Sequence, residues 1–265
     1  MIRIAVSIAG SDPSGGAGIQ ADLKTFSALG VYGATVITAL TSQNTTGVSG
    51  VWEVPSEVIS KQIDAVFSDL AVAAVKIGVL PNLDAIDAVE KGLRDWSPKN
   101  VVLDPVMVAA SGDLLFKEEV HQAICEKLFP LVDIVTPNLF EAAKLTGTSL
   151  SSDMEDLRSQ ANILRSMGAS SVLLKGGHGK TPEAIDILVT EDNEELFVSA
   201  RSDTSNLHGT GCTLSSAIAS ELAKGSELRD AIKSAKNYIT KAIKGGVNMR
   251  IGAGNGPVHH FHNFY

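Results

Sequence analysis

Short apolar runs alternate along this sequence with longer segments in which apolar residues recur every three or four positions. The short runs are rich in Val and Ile and end at Gly, Pro, Asn or Asp, which predicts strands of a parallel sheet covered on both faces. The longer segments have the period of amphipathic helices, which supply that cover. We therefore predict an α/β fold with a mostly parallel central sheet, with strands at residues 4–8, 34–39, 73–77, 101–103, 134–136 and 172–174, and helices at 19–29, 56–67, 84–94 and 153–167.

Two later runs predict a hairpin at one edge of this sheet. Residues 184–189 and 196–200 flank the turn-forming residues 191–193, and a largely helical segment follows. Neither a linker nor an internal repeat interrupts the chain. Because α/β folds of about 250 residues often form one unit, we expect a single domain over residues 1–265.

Charge and cysteine content exclude several classes of protein. The net charge is −8, and no run of basic residues could follow a phosphate backbone, so nucleic acid is not an expected partner. An anionic ligand would have to be held by a few local cations and backbone N–H groups. The two cysteines, Cys125 and Cys212, cannot define a disulfide scaffold, and no apolar stretch approaches the roughly 18 residues that a membrane span needs. We expect a cytoplasmic protein with no membrane partner.

Residues 208–212 (HGTGC) lead directly into a helical pattern at residues 213–223. Glycines before a helix let backbone N–H groups converge, and the helix N-terminus adds positive potential, so an anion can bind there. The alternative is a glycine loop that only starts a helix, and the motif alone leaves both interpretations open. At a helix N-terminus the pKa of the Cys212 thiol is expected to be lowered, which favours a base or nucleophile over an inert packing group.

Two other glycine loops are ambiguous. Residues 10–18 join a strand to a helix without the G-x-G-x-x-G spacing of dinucleotide-binding proteins, so they form either a tight connection or a close approach to a small ligand, with Asp12 or Asp22 as a polar contact. Residues 176–181 imitate the end of a P-loop, but position 174 is Leu where Walker A requires Gly. We exclude Walker A and keep Lys175 as a candidate phosphate contact.

Two acidic residues also follow predicted strands. Asn138 with Glu141 three residues later is capping-box chemistry, and the functional alternative is that Glu141 organises Mg²⁺ through water. Asp104 ends an apolar strand, where a carboxylate requires a cation or hydrogen-bond donors, although it could only cap the next turn. His259, His260 and His262 could suggest a metal site, but a surface tail is the favoured interpretation.

Together these motifs resemble the hydroxymethylpyrimidine/phosphomethylpyrimidine kinases of thiamine biosynthesis, which belong to the ribokinase-like superfamily. The resemblance covers essentially the whole chain and rests on residues 10–25, 43–45, 76–78, 104–107, 136–141, 175–178, 208–213 and 256–262. It implies a three-layer α/β/α ribokinase-like fold and a homodimer. It also implies that ATP and Mg²⁺ are used to phosphorylate 4-amino-5-hydroxymethyl-2-methylpyrimidine, first to the monophosphate and then to the diphosphate.

The resemblance also implies roles for individual residues. Cys212 matches the proposed base, where many ribokinase-like enzymes carry Asp, and with Gly209 and Gly211 it would supply N–H groups to the transferring phosphoryl group. Glu141 and Asp104 match positions linked to Mg²⁺ and phosphate. The matches at the nucleotide are Lys175, Asp104, Thr210 and His208, and those at the pyrimidine are Gln43 and Asp22, with Gly10, Val79 and Val106 as the wall. Position 79 is Val where some members carry Met, which concerns only the shape of that wall.

Gln43 can also be argued from chemistry. A side-chain amide presents a donor beside an acceptor, which complements the ring nitrogen and exocyclic amine of an aminopyrimidine, as Gln complements adenine. Pyridoxal has no such edge, so Gln43 argues against the alternatives of a pyridoxal kinase or a dual-specificity kinase. A non-catalytic sensor of phosphorylated pyrimidines is a further alternative, and the missing fingerprint disfavours a dehydrogenase. The early glycine loop leaves little room for the extra lid sheet of ribokinase.

Overall fold

The computed structural model describes residues 2–107, 118–178 and 182–265. Its described strands form one nine-stranded sheet in the order β3-β2-β1-β4-β5-β6-β7-β8-β9. The strands are β1 (Ile4–Ser11), β2 (Tyr32–Asn44), β3 (Gly47–Glu53), β4 (Val72–Ile77), β5 (Val101–Leu103), β6 (Ile134–Val135), β7 (Val172–Lys175), β8 (Glu183–Val189) and β9 (Glu194–Ala200). The α-helices are α1 (Gly18–Ala28), α2 (Ser56–Asp69), α3 (Leu83–Trp96), α4 (Glu118–Ala123), α5 (Leu139–Thr146), α6 (Met154–Ser166), α7 (Thr210–Ala223) and α8 (Leu228–Gly246).

The sheet is parallel from β2 through β7, and antiparallel strands lie at both edges. The predicted edge hairpin is confirmed as β8 and β9, which pair from Glu183 opposite Ala200 to Val189 opposite Glu194. A short π-helical turn (Ile124–Leu128) and a 3-10 turn (Phe129–Leu131) follow α4. Among the described residues, no helix combines the length and apolar character needed to cross a bilayer.

Two hydrophobic cores separate the three layers. On one face of the sheet, apolar side chains of α2, α3, α5 and α6 pack against strand residues such as Val6 and Ile8. On the other face, α1, α7 and α8 pack against residues such as Ala5 and Val102. Neighbouring strand residues alternate between the two faces, as the pleat requires, so both faces are buried. The predicted arrangement of helices on both faces is confirmed.

The first edge of the sheet differs from the sequence expectation. Strand β2 continues to Asn44 and pairs with β3, so a two-stranded ribbon stands where we expected little room for an added sheet. Strand β3 contains two glycines and is largely exposed, so it lacks the half-buried alternation by which strands are recognised. Strand β3 pairs with the end of β2, residues Ala39 to Asn44, which places the ribbon at the carboxyl-terminal edge of the sheet.

Candidate active site

A cavity of about 640 Å³ opens at the carboxyl ends of the parallel strands, the edge at which open α/β sheets bind ligands. The structure brings almost every residue selected from the sequence to its wall. These residues are Gly10, Gln43, Val79, Asp104, Val106, Glu141, Lys175, His208, Gly209, Thr210, Gly211 and Cys212. Asp22 is the exception and lies beneath the floor. Residues 179–181, for which we excluded a Walker A motif, lie outside the described residues.

Helix α7 begins at the cavity with three N–H groups that receive no acceptor from the described residues. The N–H groups of Thr210 and Thr213 donate to the carbonyls of Leu207 and Gly209. Those of Gly209, Gly211 and Cys212 have no acceptor within the described parts of the chain, and all three residues line the cavity. Together with the helix dipole, they make this end of the cavity attractive to an anion.

Gly209 permits this start of the helix. Its φ of 78° is in the left-handed region that favours glycine, and a Cβ there would lie 1.8 Å from the carbonyl oxygen of Gly16. The two glycine loops selected from the sequence are therefore packed backbone against backbone. A side chain at position 209 would push them apart.

Lys175, at the end of β7, lies among two carboxylates. Its Nζ donates to Asp104 Oδ1 at 2.7 Å and lies 4.0 Å from Glu141 Oε2. Burial lowers the pKa of Lys175, but the two carboxylates outweigh it and the pKa is raised. Burial, followed by the charge of Asp104, raises the pKa of Glu141 to about 7, although Lys175 and two backbone N–H groups act in the opposite direction. One lysine therefore only partly compensates two buried acids.

Glu141 also caps helix α5. Its Oε2 accepts a hydrogen bond from the N–H of Asn138 at 2.7 Å, and Asn138 Oδ1 accepts from the N–H of Glu141 at 3.0 Å. The capping-box prediction is confirmed. Because the same carboxylate also lines the cavity, the capping role and a role at the cavity are compatible.

Asp22 does not reach the cavity surface, which corrects its expected position in the pyrimidine pocket. Its Oδ2 accepts from Ser7 Oγ at 2.6 Å and from Lys76 Nζ at 2.8 Å, while Oδ1 accepts from Ser216 Oγ at 2.6 Å. All of these partners are fully buried. Lys76 does line the cavity, and sequence reasoning gave it no role although it is the single charged residue of an otherwise apolar strand.

The prediction that the pKa of the Cys212 thiol is lowered was wrong. Burial, and then the carboxylates of Asp22 and Asp104, raise the pKa of Cys212 to about 11, against the opposing effects of Lys76 and a hydrogen bond with the Gly18 backbone. Burial is the largest of these causes, because a thiolate removed from water loses its solvation.

A third buried lysine–aspartate pair was missed entirely. Lys236 Nζ donates to Asp186 Oδ2 at 2.7 Å, and Asp186 Oδ1 accepts from the N–H of Gly176 at 3.0 Å. The guanidinium of Arg201 donates to the carbonyls of Gly176 and Gly177. These contacts hold the backbone that follows Lys175. Asp186 in the apolar strand β8 was the available signal, because a buried carboxylate needs a partner.

The opposite end of the cavity is mostly uncharged. A Cβ on Gly10 would lie 3.5 Å from the Val79 side chain, so the predicted wall residues are in contact range. Gln43 lies beside Thr41 and His208 at the ribbon. This end could receive a flat, partly polar ring.

The histidine-rich tail is not a surface tail, contrary to our interpretation of the sequence. His260 is buried, its Nε2 lies 3.1 Å from Thr213 Oγ1, and its carbonyl accepts from the Tyr238 hydroxyl at 2.6 Å. Burial, followed by the charge of Lys24, lowers the pKa of His260 to about 3. Within the described residues, no group of three or more His, Cys, Asp or Glu side chains could hold a metal ion by itself.

Comparison of sequences identifies close relatives. The sequence matches the family described as phosphomethylpyrimidine kinase over residues 12–259. Hydroxymethylpyrimidine/phosphomethylpyrimidine kinase of Rhizobium meliloti is 53% identical over 265 residues, covering 100% of this chain and 99% of that protein. The protein of the same name from Escherichia coli is 44% identical over 261 residues, covering 98% of both chains.

Solved structures share the fold. Phosphomethylpyrimidine kinase of Clostridium difficile is 44% identical, with a TM-score of 0.81, and the match covers 92% of this chain and 100% of that one. Pyridoxal kinase of Bacillus subtilis, solved as an ADP complex, is 39% identical, with a TM-score of 0.91 and coverage of 98% of both chains. The predicted ribokinase-like fold is confirmed, and the fold alone does not separate pyrimidine from pyridoxal kinases.

Proposed function

This chain belongs to the phosphomethylpyrimidine kinase family, and from that premise we propose that it phosphorylates 4-amino-5-hydroxymethyl-2-methylpyrimidine with ATP, first to the monophosphate and then to the diphosphate, for thiamine biosynthesis. One observation carries the assignment to this cavity. The same cavity has an anion-binding end, with Lys175 and the start of α7, and another end with the amide of Gln43. A kinase of a small pyrimidine needs both ends within reach of each other.

Phosphoryl transfer requires mainly positioning and neutralisation of charge on the transferred group. Lys175, held by Asp104 at 2.7 Å, supplies a fixed cation. The N–H groups at the start of α7, from Gly209, Gly211 and Cys212, supply fixed donors in a largely buried site, where such donors are strongest. His208 and Thr210 complete the nucleotide side of the same loop.

Asp104 and Glu141 fit a divalent cation. They are two buried carboxylates beside one lysine, and burial, followed by the charge of Asp104, raises the pKa of Glu141. Hard oxygen donors of this kind are the ligands that Mg²⁺ takes, usually with several waters. We therefore assign Mg²⁺ to these two residues. When bound, Mg²⁺ supplies positive charge to the phosphates.

Gln43 selects the pyrimidine in this proposal. Its amide can accept from the exocyclic amine and donate to the adjacent ring nitrogen, and replacement by Met would leave that polar edge of the substrate unpaired. A dual-specificity or pyridoxal kinase is the second candidate, and the similarity to the pyridoxal kinase structure supports it. Gln43→Met should lower kcat/KM selectively for the pyrimidine, and an unchanged value would refute this pocket.

The direct test measures ADP release from ATP and Mg²⁺ with purified protein. One reaction contains the hydroxymethylpyrimidine and a parallel one contains pyridoxal, and the phosphates on each product are counted. We expect two phosphates on the pyrimidine and little turnover of pyridoxal. A preference for pyridoxal would overturn the substrate, and no turnover of either would favour a binding protein without kinase activity.

Cys212 has two candidate roles that kinetics can separate. With a thiol pKa near 11, we assign Cys212 chiefly as an N–H donor, which Cys212→Ala retains. A base would matter more in the first step, because a hydroxymethyl group must lose a proton, whereas a phosphate with a second pKa near 6 is already mostly ionised. A small and equal loss in both steps supports the N–H role, and a loss confined to the first step supports the base.

We also propose that the protein is a cytoplasmic homodimer. Leu40 and Trp52, on neighbouring strands of the ribbon, are 50% and 57% exposed, and β3 is an edge strand with unpaired backbone groups. A second copy could cover both. The free thiols of Cys125 and Cys212 suit a reducing compartment. Sedimentation of the wild type and of Trp52→Lys tests the dimer, which the substitution should weaken.

A further inference from the structure

The carboxylate of Asp12 accepts several hydrogen bonds from the first glycine loop, residues 10–18. Burial raises the pKa of Asp12, but the hydrogen bonds from His208, Ser14 and Ala17 outweigh it, and the pKa is lowered. An ionised carboxylate has no hydrogen to donate. Its oxygens receive Ser14 N at 2.8 Å, Ser14 Oγ at 2.7 Å, Gly16 N at 3.1 Å, Ala17 N at 2.8 Å and His208 Nε2 at 2.8 Å.

His208 Nε2 must therefore carry a hydrogen, because its partner can only accept. The ring is also fixed in place. A Cβ on Gly16 would lie 2.2 Å from His208 Cδ2, so the ring packs directly on the glycine loop. The backbone N–H of His208 donates to the carbonyl of Gly256 at 3.0 Å. His208 is 4% exposed. Because Asp12 receives this hydrogen, Nε2 has no lone pair with which to accept, and its N–H edge favours an oxygen over an NH₂ group beside it.

The amide of Gln43 lies between this donor and the hydroxyl of Thr41. Its Nε2 is 3.4 Å from His208 Nε2, and its Oε1 is 3.3 Å from Thr41 Oγ1. Thr41 Oγ1 has one hydrogen and two acceptors within reach, the carbonyl of Ser11 at 2.9 Å and Gln43 Oε1 at 3.3 Å. The shorter contact takes the hydrogen, so this hydroxyl can only accept from Gln43. In this orientation the NH₂ group of Gln43 faces the N–H of His208, which is a donor against a donor. The oxygen of Gln43 faces the oxygen of Thr41, which is an acceptor against an acceptor.

A half-turn of the amide resolves both conflicts. The oxygen and nitrogen of an amide are nearly the same in shape, so the partners decide its orientation. We propose that Asp12, His208 and Thr41 are positioning residues that fix the Gln43 amide with its oxygen towards His208 and its nitrogen towards Thr41. Two independent partners require the same orientation. One lone pair and one hydrogen then remain for a ligand.

The fixed orientation determines which edge of a substrate can be read. This inference rests on the proposed function, in which Gln43 contacts the aminopyrimidine. The free lone pair accepts from the exocyclic amine, and the free hydrogen donates to the neighbouring ring nitrogen. An unfixed amide could present a donor to the amine, which weakens discrimination. His208 also immediately precedes Gly209, so the same residue joins the substrate end of the cavity to the anion-binding loop.

The first experiment does not depend on the substrate. Two-dimensional ¹⁵N NMR of histidine-labelled protein at pH 8 reports which ring nitrogen is protonated, and the spectrum of His208→Asn identifies the signal among the six histidines. We expect a protonated Nε2 for His208. A non-protonated Nε2 would overturn the inference, whatever the substrate is.

The second experiment removes the other partner and leaves the contacts between Asp12 and His208 in place. Thr41→Val should raise KM for the hydroxymethylpyrimidine by about 3- to 10-fold, the effect of one hydrogen bond, with KM for ATP unchanged. Thr41→Ser should restore the wild-type value. Thr240→Val is the matched control, because Thr240 lines the same cavity but its hydroxyl donates to the carbonyl of Lys236.

A double variant separates this inference from the proposed function. In the Gln43→Met background, Thr41→Val should have no further effect on KM for the pyrimidine. If Gln43→Met lowers kcat/KM but Thr41→Val changes nothing in the wild-type background, the orientation argument is overturned and the pocket stands. If Gln43→Met changes nothing, the pocket itself is wrong, and the inference fails with it.

Discussion

Two buried lysine–aspartate pairs lie under the same cavity and differ in how completely they are closed. Lys76 and Asp22 are 2.8 Å apart and both side chains are 0% exposed. Lys175 and Asp104 are 2.7 Å apart, with 11% and 2% of their side chains exposed. The distances alone do not distinguish them.

The surroundings of the two aspartates do distinguish them. Asp22 receives short hydrogen bonds from two serines in addition to its lysine, so its acceptor sites are largely occupied. Apart from Lys175, the described residues give Asp104 only long contacts, from Thr136 at 3.3 Å and Ser215 at 3.4 Å, and Asp104 shares this lysine with Glu141. We infer that the closed pair supports the floor, whereas the open pair is left to respond to a ligand.

Loss of Lys76, the cation of the closed pair, should produce the largest effect on stability. Lys76→Met leaves Asp22 buried without a counter-charge, which typically costs about 3–5 kcal/mol of unfolding free energy. Urea denaturation measures it. Lys91→Met is the control, because Lys91 forms an exposed pair with Asp95 and its loss should leave stability close to that of the wild type. A loss below about 1 kcal/mol for Lys76→Met would contradict a structural role for the closed pair.

Loss of Lys175, the cation of the open pair, should reduce activity strongly and stability less. Lys175→Met removes a cation from the anion-binding end, and we expect kcat to fall about 10²- to 10³-fold, as for loss of a preorganised donor. Water in the cavity can solvate Asp104, so the stability loss should be less than half that of Lys76→Met. Kinetics and urea denaturation on the same preparations test both expectations. Equal losses of stability in the two variants would remove the distinction.

Glu141 makes the open pair sensitive to pH. The unfolded chain ionises Glu141 near the ordinary pKa of 4.5, whereas the folded chain retains the proton to about pH 7. Between these values the folded state binds more protons than the unfolded state, so stability falls as pH rises through this window. Glu141→Gln keeps an acceptor for the capping box but cannot titrate, so it should gain about 1–3 kcal/mol relative to wild type from pH 4.5 to 7.

Denaturation in buffer without Mg²⁺ across this range measures the effect. Glu155→Gln, in the exposed first turn of α6, provides the matched control and should give a curve parallel to wild type. A Glu141→Gln curve that also remains parallel would contradict the raised pKa.

Sequence reasoning identified the open pair far better than the closed one, for a physical reason. Asp104 and Lys175 lie at the ends of apolar strands, where polar residues indicate a ligand site. Asp22 lies on helix α1, and nothing in its local sequence indicates that Lys76, on a strand fifty-four positions later, neutralises it. Strand periodicity likewise predicted the buried core, whereas the exposed strand β3 carries no such pattern. Long-range charge pairing and burial both depend on the assembled fold, and burial is the main reason that the pKa of Cys212 is raised where a lowered one was expected.

Two adjacent serines on α7 give the smallest and sharpest test. Ser216 Oγ donates to Asp22 at 2.6 Å, whereas Ser215 Oγ lies 3.4 Å from Asp104 and has closer acceptors in the carbonyls of Gly211 and Cys212. Ser216→Ala removes a short bond to a buried charge and should cost about 1.5–3 kcal/mol of unfolding free energy. Ser215→Ala should cost under about 1 kcal/mol, because its local carbonyl acceptors are not charged. Both serines are fully buried, so the packing changes in the two variants are matched. Urea denaturation measures both losses, and equal losses would contradict the difference between the closed and the open pair.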